Sequence, residues 1–235
     1  MRRMFALVLL AVPVFLSSAG RAADTPTTSQ PSGLIANVEH RKTISLNGTW
    51  HYIVDPYDNG YYDYRHQPRK DGFFQNEKPK TPRDLVEYDF DKSDTIQVPG
   101  DWNSQKKELF YYEGTVWYQR AFTYRKPAGS RVFLYVGAAN YLSRLYVNGA
   151  PACEHEGGFT SFNCEVTSQV KDGDNFVVIY VNNQRRRDAV PTDMTDWWNY
   201  GGLTRDVELV EVPNAFLEDY FLQAPKGASG VVDGW

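Results

Sequence analysis

The sequence predicts an all-β fold, an antiparallel β-sandwich or jelly roll. Short runs of β-branched and aromatic residues recur along residues 41–223. Turn signals built on Gly, Pro, Asn and Asp punctuate them every several residues. Almost nowhere do apolar residues repeat at the 3.6 spacing of a helix. Apolar residues make up 42% of the chain, enough for a core, and 16 Tyr, 13 Phe and 6 Trp skew it toward β structure and sugar or peptide surfaces.

Residues 1–22 stand outside that fold. Arg2 and Arg3 precede an apolar run over residues 5–16, and Ser17, Ser18, Ala19 and Gly20 follow. This is the pattern of a secretory signal peptide cleaved after Ala22, too short to span a bilayer. The mature protein is expected in the periplasm or outside the cell, without a membrane span. Cleavage removes Arg2, Arg3 and Arg21 and no acid, so the formal charge moves from -4 to -7. An acidic exported chain makes nucleic acid a poor partner. Residues 23–40 begin rich in Thr, Ser and Pro and are expected to be a disordered leader.

The sandwich is expected to start at residue 41, where Ile44, Leu46, Trp50, Tyr52 and Ile53 surround an Asn47-Gly48 turn signal. Residues 55–93 interrupt the pattern. They are charged, tyrosine-rich and broken by Pro56, Pro68, Pro79 and Pro82, which reads as a decorated surface loop anchored by aromatics such as Tyr61, Tyr62, Tyr64, Phe73 and Phe74. Strands then follow at 95–98, 115–124 and 131–136. In the second of these, Val116, Tyr118, Arg120 and Phe122 alternate with Trp117, Gln119 and Ala121. Residues 143–147 lead into Asn148-Gly149, a strong hairpin signal answered by 150–155. Strands at 162–166, 175–181, 205–212 and 216–222 close the series. Residues 224–235 read as a linker followed by the start of another apolar run.

Only two cysteines occur, Cys153 and Cys164. Export permits a disulfide, and the intervening Gly157-Gly158 is able to turn the chain so that they meet, so a bonded pair and free thiols both stay open. The four histidines show no ligand spacing, so no metal site and no cofactor are expected.

Asp196-Trp197-Trp198-Asn199-Tyr200-Gly201-Gly202 is the stretch richest in binding chemistry. Aromatic faces cover the apolar C–H faces of a sugar, and short carboxylates and amides bond its hydroxyls. The competing reading is a packed aromatic corner closing the sandwich. Alternation would turn Trp198 into the core and Trp197 toward solvent. Arg185-Arg186-Arg187 reads as a solvated loop, with recognition of a uronic acid carboxylate as the alternative. Gly157-Gly158 after His155 reads as a tight turn. No serine nucleophile elbow and no phosphate-binding glycine loop is present.

Seven motifs occur in a telling order: Leu46-Asn47-Gly48-Thr49-Trp50; Val98-Pro99-Gly100-Asp101-Trp102; Gly114-Thr115-Val116-Trp117-Tyr118-Gln119-Arg120; Val147-Asn148-Gly149; His155-Glu156-Gly157-Gly158-Phe159; Phe162; and the Asp196 stretch with Arg205. Together they resemble the N-terminal sugar-binding domain of glycoside hydrolase family 2, which includes β-glucuronidases, β-galactosidases and β-mannosidases. The resemblance covers about residues 41–223 and looks closer to the β-glucuronidases. It implies a galactose-binding-like jelly roll, followed in complete members by an immunoglobulin-like sandwich and a TIM barrel. On this view residues 224–235 begin an immunoglobulin-like domain that the chain does not contain.

In that family the barrel supplies two glutamates, an acid/base and a nucleophile, for hydrolysis with retention. The resemblance therefore implies no catalytic residue in this chain. Asn76-Glu77 imitates the family's acid/base dipeptide but falls in the charged loop, where no strand end would raise its pKa. The resemblance implies that Asp196 reaches sugar hydroxyls, and Trp197, Asn199 and Tyr200 complete the expected carbohydrate-binding set. Thr115 departs from the asparagine of some lactose-cleaving relatives and lacks its amide, which weighs against galactose. The expected function is thus the sugar-binding domain of an exported β-glycosidase acting on a terminal glucuronide or galactoside. The alternatives are a stand-alone carbohydrate-binding module and a brace for a neighbouring barrel.

Overall fold

Alternation along the strands sorts the side chains into two packed faces. The computed structural model of the chain describes residues 33–68, 81 and 89–221. In chain order the first strands are β1 Lys42–Ser45, β2 Gly48–Asp55, β3 Thr95–Val98, β4 Gly100–Asp101, β5 Thr115–Tyr124 and β6 Ser130–Val136. They continue with β7 Ala139–Asn140, β8 Leu142–Val147, β9 Ala150–Glu156, β10 Phe162–Glu165, β11 Gly173–Asn182, β12 Gly202–Leu203 and β13 Val207–Pro213. A single turn of helix, α1 Trp102–Gln105, follows β4.

Six strands form one sheet in the order β3-β2-β5-β11-β8-β9, and four form a second, β1-β13-β6-β10. Every strand pairing among the described residues is antiparallel. The chain is therefore an all-β sandwich. Between the sheets, Val116 and Tyr118 of β5, Ile179 and Val181 of β11 and Leu145 of β8 meet Val132, Leu134 and Val136 of β6 and Leu209 of β13. All of these are essentially inaccessible to solvent. The expected alternation of β5 is present, because Trp117 points the other way from Val116 and Tyr118.

Both outer faces are also covered. On the six-stranded sheet, Trp117, Tyr146, Val178 and Tyr180 pack under Phe90 and Tyr61. The described part of the 55–93 connection is thus a second hydrophobic layer as well as a surface loop. Asp55 fixes its start by accepting from the backbone N–H groups of Asn59 (2.9 Å) and Gly60 (3.0 Å) and from Trp117 Nε1 (3.0 Å). Tyr64, an expected anchor, is instead exposed, while Phe73, Phe74 and Asn76-Glu77 lie outside the described residues. The signal peptide and residues 224–235 lie outside them too.

The leader is a correction at its far end. Residues 33–40 lie on the outer face of the four-stranded sheet, where Ile35 and Val38 are buried with Phe133, Val210 and Val212. Ile35 N–H donates to Asn163 Oδ1 at 2.8 Å, and Ala36 N–H to the Glu218 carbonyl at 2.8 Å. Burial of Ile35 and Val38 holds the segment down, since full burial of one such side chain is worth about 1.5–3 kcal/mol.

The Asn148-Gly149 hairpin joins β8 and β9, with both turn residues at positive φ (51° and 84°) as a primed turn requires. A disulfide links Cys153 on β9 to Cys164 on β10 with a Cα separation of 5.9 Å, and so ties the two sheets together.

Candidate functional site

A small third sheet, β4-β12-β7, sits at one end of the sandwich and organises the site. Its register places Asp101, Gly202 and Asn140 in one row across the three strands. Residues directly opposite each other in antiparallel strands project to the same face. Asp101 and Asn140 therefore stand on one face with a glycine between them, about 10 Å apart as two strand spacings. Asp101 also caps α1, accepting from Ser104 N–H at 2.6 Å and from Ser104 Oγ at 2.7 Å.

The loop over residues 183–201 closes this end and is pinned from several sides. Asn199 is buried, and its amide Nδ2 donates to the Asn183 carbonyl while Asn183 Nδ2 donates to the Asn199 carbonyl at 2.7 Å. Gly201 N–H donates to Asn103 Oδ1 (2.9 Å), and Trp102 N–H to the Gly201 carbonyl (2.9 Å). Gly201 has to be glycine: a Cβ there would lie 2.0 Å from Cζ2 of Trp102.

The arginine run is engaged with this chain's own acids. Arg185 pairs with Glu113 (2.8 Å), Arg186 with Glu156 and Asp188, and Arg187 with Asp193 (3.5 Å). Arg185 also donates to the carbonyls of Thr195 (2.5 Å) and Trp197 (2.6 Å). Its guanidinium thus fastens the loop that carries the aromatic pair.

Trp197 and Trp198 are 72% and 41% exposed. The expectation that Trp198 fills the core is corrected, because Trp102 already occupies the place beneath the loop. Trp198 lies instead in an exposed aromatic cluster, with ring centroids 4.8 Å from Phe110, 5.5 Å from Tyr111 and 6.2 Å from Tyr200.

Between this loop, the Asp101–Asn140 row and the Gly157-Gly158-Phe159 turn lies a cavity of about 320 Å³. Trp197, Tyr200, Phe159 and Pro191 give it apolar walls, and Asp101, Asn140 and Thr204 give it polar ones. Asn140 is buried, and its Nδ2 donates to Asn199 Oδ1 (2.9 Å) and to the Tyr200 carbonyl (2.5 Å). Both partners are acceptors, so the amide has one orientation, and its Oδ1 has no partner. A buried acceptor left unpaired costs about 1–3 kcal/mol. Gly158 makes room for that oxygen, since a Cβ there would lie 2.3 Å from it. Behind the turn, His155 stacks on Phe162 at 4.1 Å, and burial pushes its pKa below the ordinary imidazole value. A second cavity of about 150 Å³, on the other side of Trp198, is lined by Asn103, Glu113 and Arg185. Among the described residues no three His, Cys, Asp or Glu side chains converge as metal ligands.

The order of motifs, the sandwich and this closed end converge on one family, and the family model for the sugar binding domain of glycosyl hydrolases family 2 matches residues 43–213. The chain belongs to glycoside hydrolase family 2. Its family 2 domain is 27% identical over 217 residues to a β-glucuronidase of Paenibacillus borealis, covering 82% of this chain and 33% of that protein. It is 28% identical over 223 residues to a β-glucuronidase of Felis catus, covering 82% of this chain and 32% of the relative. Among solved structures, a β-glucuronidase of an uncultured Clostridium species superposes with a TM-score of 0.60 at 27% identity, over 80% of this chain and 32% of that one. The chain thus spans about a third or less of the length of the relatives it matches.

Within the family 2 domain the expected binding residues separate into two groups. Trp197 and Tyr200 are exposed and line the larger cavity. Asn199 also lines it, but its side-chain amide is committed to Asn140 and Asn183, so it shapes the loop and offers no free group to a hydroxyl. Asp196 is exposed and does not line the cavity. Thr115 is buried, with its hydroxyl donating to Asp58 and accepting from Asn182 Nδ2 at 2.8 Å. Sequence reasoning did not single out Asn140. It lies outside the seven motifs, and only the strand register brings it beside Asp101.

Proposed function

We propose that this chain is the sugar-binding part of an exported family 2 β-glycosidase. In full length the protein would hydrolyse a terminal β-linked sugar, a glucuronide or galactoside, with retention. The observation that carries the reading is the match of the family's sugar binding domain over residues 43–213, in relatives whose printed names are β-glucuronidases and whose length is about three times what this chain spans. The acid/base and nucleophile glutamates would come from a barrel beyond this chain, after an immunoglobulin-like domain. Export rests on the basic, apolar and small-residue order of residues 1–22. Asp196, exposed at the rim of the loop, would reach hydroxyls of the terminal sugar held against the barrel.

The purified 235-residue chain is expected to leave 4-nitrophenyl β-D-glucuronide and β-D-galactoside intact. Hydrolysis by the chain alone, abolished by Glu77→Gln, would overturn the reading. Mass spectrometry of the exported product should find a new N-terminus at Ala23. Retention is checked on the full-length protein by NMR of the first-formed anomer.

The exposed Trp197, Trp198, Tyr200 and Phe110 cluster favours a second reading, a stand-alone carbohydrate-binding module. Glycan affinity in the chain alone, lost in Asp196→Ala, would support it. Flat calorimetry across a sugar panel would remove it.

A further inference from the structure

We infer that Arg185 is the positioning residue for Asp196: its guanidinium, tethered by Glu113, grips the backbone on both sides of Asp196 and so aims a carboxylate that the fold leaves free. The inference rests on the proposed role of Asp196 toward sugar hydroxyls and adds the residue that sets its place.

The first ground is geometry. One guanidinium serves a carboxylate and two carbonyls. Nε donates to Glu113 Oε1 at 2.8 Å, Nη1 to the Thr195 carbonyl at 2.5 Å and Nη2 to the Trp197 carbonyl at 2.6 Å. Those carbonyls belong to the residues immediately before and after Asp196. Hydrogen bonds from a charged donor are stronger than neutral ones, and a planar fork fixes the angle between them.

The second ground is the scaffold. Glu113 and Arg185 stand just beyond paired ends of β5 and β11, the two middle strands of the six-stranded sheet, where Thr115 faces Asn182. Bonding continues past that pair: Gly114 N–H donates to Asn183 Oδ1 at 2.9 Å and Asn183 N–H to the Gly114 carbonyl at 3.2 Å. The clamp therefore projects from the centre of a sheet, and a group held by such elements is placed more precisely than one held by a loop alone.

The third ground is how the loop spends its side chains. Asn183, Arg185 and Asn199 bond to the loop's own backbone, and Arg186 and Arg187 pair with acids. Asp196 is exposed, and its carboxylate enters none of these bonds. A gripped backbone carrying a free carboxylate is a recognition group preorganised for something outside the domain.

The test is a double-mutant cycle of Arg185→Lys and Asp196→Asn on the full-length protein, read as kcat/KM for 4-nitrophenyl β-D-glucuronide and β-D-galactoside. Each single variant is expected to lower kcat/KM, Arg185→Lys by about tenfold or more, with the same division between KM and kcat as Asp196→Asn. In the Asp196→Asn background, Arg185→Lys should cost little more. A purely structural loss would instead multiply with that of Asp196→Asn. Met194→Ala, at a 90% exposed position of the same loop, should leave kcat/KM unchanged. If Arg185→Lys does not fold, Glu113→Ala, which frees the guanidinium from its tether, takes its place in the cycle with the same expectation.

Fully multiplicative losses overturn the inference, as does wild-type kcat/KM in folded Arg185→Lys or an equal loss in Met194→Ala. In those outcomes Asp196→Asn is still impaired, so the sugar-binding reading survives. A full-length wild type that hydrolyses neither glycoside, or an Asp196→Asn variant that matches it, removes the role of Asp196 and the inference with it.

Discussion

Arg185 holds Trp197 by its backbone: the guanidinium NH2 donates to the Trp197 carbonyl at 2.6 Å while Nε pairs with Glu113 at 2.8 Å. A planar fork can serve both ends at once, and a lysine ammonium cannot. Arg185→Lys is therefore expected to cost about 1–2 kcal/mol of stability. It should also raise hydrogen exchange selectively over residues 195–198. Unchanged exchange there would show that the loop is held by Asn183 and Asn199 alone.

Asp55 is 1% exposed and satisfies three N–H groups, those of Asn59, Gly60 and the Trp117 indole. Asp55→Ala leaves them unpaired, at roughly 1–3 kcal/mol for each buried group. Urea melts should show a loss of about 3 kcal/mol or more, and Asp55→Asn, which keeps one acceptor oxygen, should recover part of it.

Gly201→Ala forces a methyl group against the Trp102 ring, which is wholly buried. Overpacking of this kind costs about 1–3 kcal/mol and shifts the neighbouring backbone. The expected result is a lower melting temperature and a displaced loop. Wild-type stability would mean that Trp102 has room to move.

Cys153 and Cys164 close a loop with a sequence separation of 11. The double variant Cys153→Ala/Cys164→Ala is expected to lose about 2–3 kcal/mol, chiefly because the unfolded chain regains freedom. Denaturant melts of the oxidised and reduced wild type measure the same difference.

Asp58 has its pKa raised, first by burial and then by the neighbouring Asp55 charge, with hydrogen bonds from Thr115 and Tyr180 opposing the shift. A carboxyl raised on folding adds stability below its folded pKa and loses it as pH rises through that value. At neutral pH its ionised form is therefore a liability. Asp58→Asn keeps the acceptor oxygen and suits the positive φ of 55°. The variant should match or exceed the wild type in melting temperature at pH 7, with the gap narrowing as pH falls toward the ordinary carboxylate value. A gap that widens on acidification would contradict the assignment.

Much of the fold was legible because strands write themselves locally. The alternation of Val116 and Tyr118 against Trp117, and the Asn148-Gly149 turn, need only neighbouring residues to be read. The burial of Ile35 and Val38 was not legible, since two apolar residues give no period, and only the apolar outer face of the second sheet, Phe133, Val210 and Val212, explains why they stay down. Trp198 was misjudged for a related reason. Alternation presumes a strand, and the 183–201 loop is shaped by Asn183, Arg185 and Asn199 side chains bonding to its backbone.

The sequence by itself determined the β class, the turn positions, the family and the loop that carries Trp197 and Tyr200, because each is encoded in short-range pattern or in an ordered set of motifs. Only the tertiary structure decided which side chains remain free. Asn140, Asp101 and Gly202 come from three distant strands, and their row exists only once β4, β12 and β7 pair. Whether an amide such as that of Asn199 or Asn140 is spent on the fold or left for a ligand depends on partners dozens of residues away, and no local pattern records that count.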